Sequence, residues 1–214
     1  MWNSTIVSTP LLFFSIFLST SVSAEDATNE RIQSPVVGEQ ATVIGVRFAI
    51  GLWAAEHQMT CPSARYGNEP KIAIYTTTLN DNVLNLSLAV DRLIAEDASL
   101  KWSFVALSDE KGAYSGVVSK HYSKDEQAER LSEIKKLATR KGITQLTIGN
   151  TSWPASRTRH TFDMSEDSDV LVLFLDGDSQ MLRVVKFVRL VDSAKLNSKM
   201  IDSMLAEIKT IRDH

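Results

Sequence analysis

The chain has 214 residues, 43% of them hydrophobic, a formal charge of −3 and a single cysteine. That is enough apolar material for one domain with a full core, and no intramolecular disulfide can brace it. The near-neutral charge balance excludes the basic footprint of a nucleic-acid binder.

In chain order, residues 1–24 read as an export signal. Ile6 to Leu18 is apolar and aromatic, and Val22-Ser23-Ala24 supplies the small residues at which a signal peptidase cuts. The apolar run is shorter than the roughly 20 residues that span a bilayer. Met1-Trp2-Asn3-Ser4 contains no Lys or Arg, so an uncleaved N-terminal anchor stays open as the alternative. No cysteine stands near Ala24 to take a lipid. The mature chain is therefore expected to be exported, periplasmic or extracellular, with no membrane span after cleavage. Residues 25–35 are polar and aperiodic and read as a flexible leader. The folded domain is expected over 36–214.

Val36 to Trp53 is β-branched and apolar, punctuated by Gly38, Gly45 and Gly51, and predicts one or two strands at a sheet edge. A polar, turn-forming loop, Cys61 to Pro70, leads into Lys71–Thr77, which has the length and residue types of a buried strand. Asn80 or Asp81 caps the next helix, whose Val83, Leu86, Val90, Leu93 and Ile94 form one apolar face. Trp102 to Leu107 predicts the next strand, and 108–112 a turn. Ser123 and Glu126 form a capping-box pattern. The helix behind it directs Ala128, Leu131, Ile134 and Leu137 inward and stops at Arg140-Lys141-Gly142. Ile143 to Ile148 reads as a short strand, and Gly149 to Asp169 as a long polar loop. Val170–Leu175 and Met181–Val191 flank a turn at Asp176-Gly177-Asp178 and predict a hairpin. A last helix carries Leu196, Met200, Met204, Ile208 and Ile211 on one face. Strand–helix–strand units followed by a hairpin imply an α/β fold: a mixed central sheet flanked by helices in three layers.

This order, with a cysteine beside the first core strand and a hairpin-plus-helix ending, resembles the thioredoxin-like superfamily. It is most similar to secreted bacterial redoxin-like proteins, in which a C-x-x-C-R-Y-G loop leads into a strand and an N-D-N helix start. The matching residues are Cys61-Pro62-Ser63-Ala64-Arg65-Tyr66-Gly67, Ile72-Ala73-Ile74-Tyr75 and Asn80-Asp81-Asn82. Three departures count against the redox chemistry that the resemblance implies. Ala64 stands where the second cysteine would be. The superfamily's usual redox position, just after the first core strand, holds Thr76-Thr77-Thr78. Ser168-Asp169 replaces the usual cis-proline before the strand at Val170. No P-x-x-x-T-x-x-C spacing of a peroxidase is present.

Cys61 is the candidate catalytic thiol, and an inert structural thiol is the competing reading. Arg65 or a helix N-terminus is the available means of activating it. Arg65, Tyr66, Thr76 and Thr77 are candidate binding residues. A second candidate group is Trp153, Arg157, Arg159 and His160, which combine an aromatic ring, two guanidinium groups and an imidazole able to grip an anion. His57, His121, His160 and His214 lack metal-ligand spacing, and the acidic run from Asp163 to Asp169 lacks a calcium-loop pattern, so no metal is expected. No glycine-rich phosphate loop is present, and no cofactor is expected. The expected function is an exported thioredoxin-like domain without two-thiol catalysis, acting as a binding or accessory module in the cell envelope. A monothiol redox protein working through intermolecular disulfides of Cys61 is the alternative. A protein partner is expected through a mixed disulfide or a sheet edge.

Overall fold

The computed structural model describes residues 35–42, 44–51, 54, 59–62, 67–111, 122–164, 169–177, 181–190 and 192–212. The export signal, most of the leader, and Arg65 and Tyr66 of the cysteine loop lie outside the described residues. Among those described, seven strands form one sheet: β1 (Val46–Ile50), β2 (Met59–Thr60), β3 (Lys71–Thr76), β4 (Phe104–Leu107), β5 (Thr147–Thr151), β6 (Val170–Gly177) and β7 (Leu182–Leu190). Four α-helices join them: α1 (Asp81–Glu96), α2 (Lys124–Lys141), α3 (Ala155–Thr161) and α4 (Ser198–Arg212).

The sheet order is β2-β1-β5-β4-β3-β6-β7. β3, β4 and β5 run parallel; β1, β2, β6 and β7 add antiparallel pairings, so the sheet is mixed. Period-2 alternation splits the core between the two sheet faces. Ile72, Ile74, Val105, Leu107, Ile148, Val172 and Phe174 face α1, α2 and α4. Phe48, Ala73, Tyr75, Phe104, Ala106, Leu171 and Leu173 face Phe162 and Met164, which follow α3. The Tyr75 ring is packed edge-on against Phe104, with centroids 5.9 Å apart, and tilted against Phe162 at 4.6 Å.

The long helices start where their caps dictate. The Asn80 side chain accepts hydrogen bonds from the amides of Asn82 and Val83, closing the first turn of α1. α2 carries the full capping box: the Ser123 amide donates to Glu126 Oε2 at 2.7 Å, and the Glu126 amide donates to Ser123 Oγ at 3.3 Å. It stops at Gly142, whose φ of +82° is the left-handed conformation that a Cβ resists.

Several elements differ from the sequence reading. β1 lies second from the edge, which is the two-residue β2. The strand expected at 143–148 runs from Thr147 to Thr151. Gly149 sits inside it because β1 passes close by: a Cβ there would meet the Arg47 carbonyl oxygen and lie 2.7 Å from Phe48 Cα. The loop expected over 149–169 contains α3, a seven-residue helix whose N-cap, Pro154, makes no side-chain cap bond. The buried face of α2 is Gln127, Ile134 and Ala138, with Leu131 and Leu137 at its margin and Ala128 in solvent. In α4 Ile208 is buried, and Met204 and Ile211 are packed against the same core as expected; Ile201 joins them, and Met200 of the expected face is exposed.

Candidate functional site

Parallel strands bring their carboxyl ends to one side of a sheet, where α/β folds gather binding residues. Here the segments after β3, β4 and β5 meet and are tied together. The Ser108 amide donates to the Thr76 carbonyl at 2.7 Å, and the Ala155 amide donates to the Asp109 carbonyl at 2.6 Å. Behind them Ser108 Oγ lies 2.8 Å from both Thr151 Oγ1 and Thr158 Oγ1, a buried hydroxyl cluster that fixes α3 to the end of β4.

A cleft of about 510 Å³ opens over this junction, lined by Thr77, Asp109, Lys111, Tyr122, Arg130 and Arg159 among others. Arg130 reaches from α2 and grips Asp109 with two prongs, Nε to Oδ2 at 2.7 Å and Nη2 to Oδ1 at 2.9 Å. Its third nitrogen, Nη1, donates to Glu133 at 2.9 Å. The Tyr122 hydroxyl donates to Asp109 Oδ2 at 3.2 Å. Desolvation and the Asp109 charge push that phenol up to about 12, so it keeps its proton at neutral pH. The same carboxylate raises Arg130 above its ordinary range. Lys111 pairs with Glu126 at 2.9 Å. The Ser123 amide and then Lys111 hold the Glu126 carboxyl down at about 2.

On the other wall, Arg159 Nη2 donates to Thr77 Oγ1 at 3.2 Å. The Thr77 amide is bound to the Asp169 carbonyl at 3.0 Å. Thr76 turns its hydroxyl away, with its one hydrogen shared between the carbonyls of Thr78 at 2.6 Å and Asp169 at 2.9 Å. Asp169 is one of the two residues, Ser168 and Asp169, that stand in place of the cis-proline the resemblance implies. Its carbonyl is taken by Thr76 and Thr77, and its amide donates to Leu190 at 3.3 Å. Asp169 therefore presents no open backbone edge to a peptide.

Of the sequence-derived candidates, Thr77 and Arg159 line this cleft. Thr76 lies beneath it as a structural hydroxyl. Trp153 is half-buried against the second core face, with the Arg157 guanidinium 4.4 Å over its ring. His160 is exposed in the last turn of α3. Cys61 follows β2, is half-buried, and is not among the cleft residues. It lies within electrostatic reach of Lys71 and Tyr75 of β3. Asp109, Tyr122 and Arg130 were not singled out from the sequence. The available signal was Arg130, a charge four residues before Ile134 on the helix face that turns inward. Among the described residues no group of His, Cys, Asp and Glu could hold a metal ion. No described helix is long and apolar enough to cross a membrane.

No protein-family model matches the chain, and no curated relative does. Solved structures do. A peroxiredoxin-like protein from Aquifex aeolicus matches at a TM-score of 0.51 with 10% identity, covering 82% of this chain and 90% of that one. A cysteine-to-serine mutant of PrxQ from Xylella fastidiosa matches at a TM-score of 0.53 with 9% identity, covering 84% of this chain and 99% of that one. At such identities the likeness speaks for backbone architecture alone. The chain has a thioredoxin-like fold, with its only cysteine outside the cleft at the carboxyl ends of the parallel strands.

Proposed function

We propose that this chain is an exported thioredoxin-like binding or accessory domain that does not carry out two-thiol exchange. One observation carries the reading: the position after β3, where the superfamily usually keeps its redox motif, holds the Thr77 hydroxyl hydrogen-bonded to Arg159. The closed backbone of Asp169 adds support, because a disulfide oxidoreductase needs an edge on which to lay its peptide substrate. The signal-like residues 1–24 support export, with the mature chain beginning at Glu25.

Purified protein should show no dithiol-dependent reduction of a disulfide substrate and no thiol-dependent peroxide consumption above background. Cys61→Ser should leave both traces and the melting temperature unchanged. Turnover that disappears in Cys61→Ser would overturn the proposal in favour of monothiol chemistry. Mass spectrometry of the protein from the cell envelope checks the export reading, which predicts an N-terminus at Glu25.

A further inference from the structure

We propose that an internal water molecule is bound between β5 and α2, with the Asn150 side chain both donating to it and accepting from it. The inference goes beyond the binding-domain reading above and concerns the framework behind the cleft. Asn150 is the fourth residue of β5 and is fully buried. Among the described residues neither its Oδ1 nor its Nδ2 has a hydrogen-bond partner. Exchanging the two ends of the amide changes nothing, because both lack one. A buried amide left bare at both ends is strongly destabilising, and native interiors answer such groups with protein partners or with ordered water.

The surroundings are polar. Asn150 stands two residues beyond Ile148, so strand alternation turns it to the face covered by α1, α2 and α4. Arg47 of β1 is directly opposite it, and such cross-strand pairs hold their Cβ atoms roughly 5 Å apart on one face. α2 packs over β1 and β5. The first half of α2 lies at the carboxyl ends of the strands: its Arg130 grips Asp109, two residues past β4, and the last residue of β4, Leu107, is in register with Asn150. Gln127 is on the buried face of that same half. Arg47 Nε and Gln127 Nε2 are buried nitrogens with no hydrogen-bond partner. Both residues have interactions besides, so the Asn150 amide is the group that lacks any. Its bare acceptor selects the ligand. A small anion would suit the nitrogens and be repelled by Oδ1. Water donates as well as accepts, and a buried water makes about three hydrogen bonds.

The test uses the full folded chain, in solution and in crystals grown from chloride and from bromide. In solution the Asn150 side-chain NH2 protons should show NMR cross-peaks to water, with the NOESY and ROESY signs of a long-lived contact and not of proton exchange. The crystals should show a water within hydrogen-bond distance of Asn150 Oδ1 or Nδ2, and no anomalous bromide signal there. Asn150→Leu, close to isosteric, removes the donor and the acceptor and evicts the water from the buried nitrogens of Arg47 and Gln127. It should lower the melting temperature by at least about 3 °C. A dry, bare amide predicts the opposite sign, because leucine would then relieve an unsatisfied group. The proposal is overturned by bromide at the site, by an Asn150 amide paired with a protein group, by the absence of the water cross-peaks, or by an Asn150→Leu protein at least as stable as wild type. Should Asn150→Leu not fold, the two wild-type measurements decide.

Discussion

Lys71 is the residue whose chemistry the sequence conceals most. It opens β3 as a lysine in a buried strand, and its side chain is fully buried. Nζ donates to the Gly67 carbonyl at 2.7 Å. Desolvation brings its pKa from about 10.5 down to about 8, against the opposing pull of Glu69 and Cys61. A base with a lowered native pKa loses its proton in the folded chain before the unfolded one. The unfolded state then binds more protons, so stability rises as pH climbs from about 8 to about 10.5 and levels off above. The gain is bounded by the shift at about 3 kcal/mol. Urea denaturation at pH 7, 8, 9 and 10 checks this, with all proteins in the Cys61→Ser background so that the thiol does not titrate. Wild-type Lys71 should give the rise, and Lys71→Met should be more stable at pH 7 and flat across the window. Parallel curves for the two would remove Lys71 as the cause.

Among the elements, β5 shows how tertiary contacts move a boundary. Residues 143–148 have strand-like composition, yet the strand begins at Thr147. The cause is Asp91, buried on α1, whose Oδ1 accepts from the amides of Thr144 at 3.0 Å, Gln145 at 2.6 Å and Leu146 at 2.7 Å. Three successive amides converging on one carboxylate oxygen cannot also serve a β-ladder, so this segment bends. Asp91→Ala leaves those donors without their acceptor and should cost on the order of 3 kcal/mol. Asp91→Asn, which keeps an acceptor oxygen but not the charge, should cost less. Equilibrium unfolding measures both, and a loss below about 1 kcal/mol for Asp91→Ala would place it with ordinary surface changes. The same contrast explains what the sequence displayed. α1 and α2 were legible because Asn80, Ser123, Glu126 and Gly142 mark their ends locally. α3 was not, because Pro154 supplies no side-chain cap and the helix is fastened instead by the bond from the Ala155 amide to Asp109, 46 residues away in sequence.

At the scale of the molecule, element order was enough to anticipate a mixed, three-layer sheet, because parallel neighbours need crossovers and the hairpin does not. Pairing partners far apart in sequence were not legible: β1 lies against β5, with Arg47 opposite Asn150, and no local pattern encodes that register. The cleft was half visible for the same reason. Thr77 and Arg159 stand in polar stretches that attract attention, whereas Asp109, Tyr122 and Arg130 acquire their roles only when β4 and α2 are packed together. This layering sets where the native state opens. β3, β4 and most of β6 are buried along their length, between helices on one face and the Tyr75–Phe104–Phe162 cluster on the other. β2 is two residues long at one edge. β7, at the other edge, is only partly buried, with its first residues covered by the bridge from Gln40 to Arg183. Amide hydrogen exchange in the native state should therefore be slowest at Ile72–Tyr75, Val105–Leu107 and Leu171–Leu175, where exchange requires global unfolding. Met59, Thr60 and the amides of α3 should exchange through local opening, faster and with little dependence on added urea. If α3 were as protected as β3 and showed the same urea dependence, the cleft wall that carries Arg159 would belong to the global folding unit and would not open by itself.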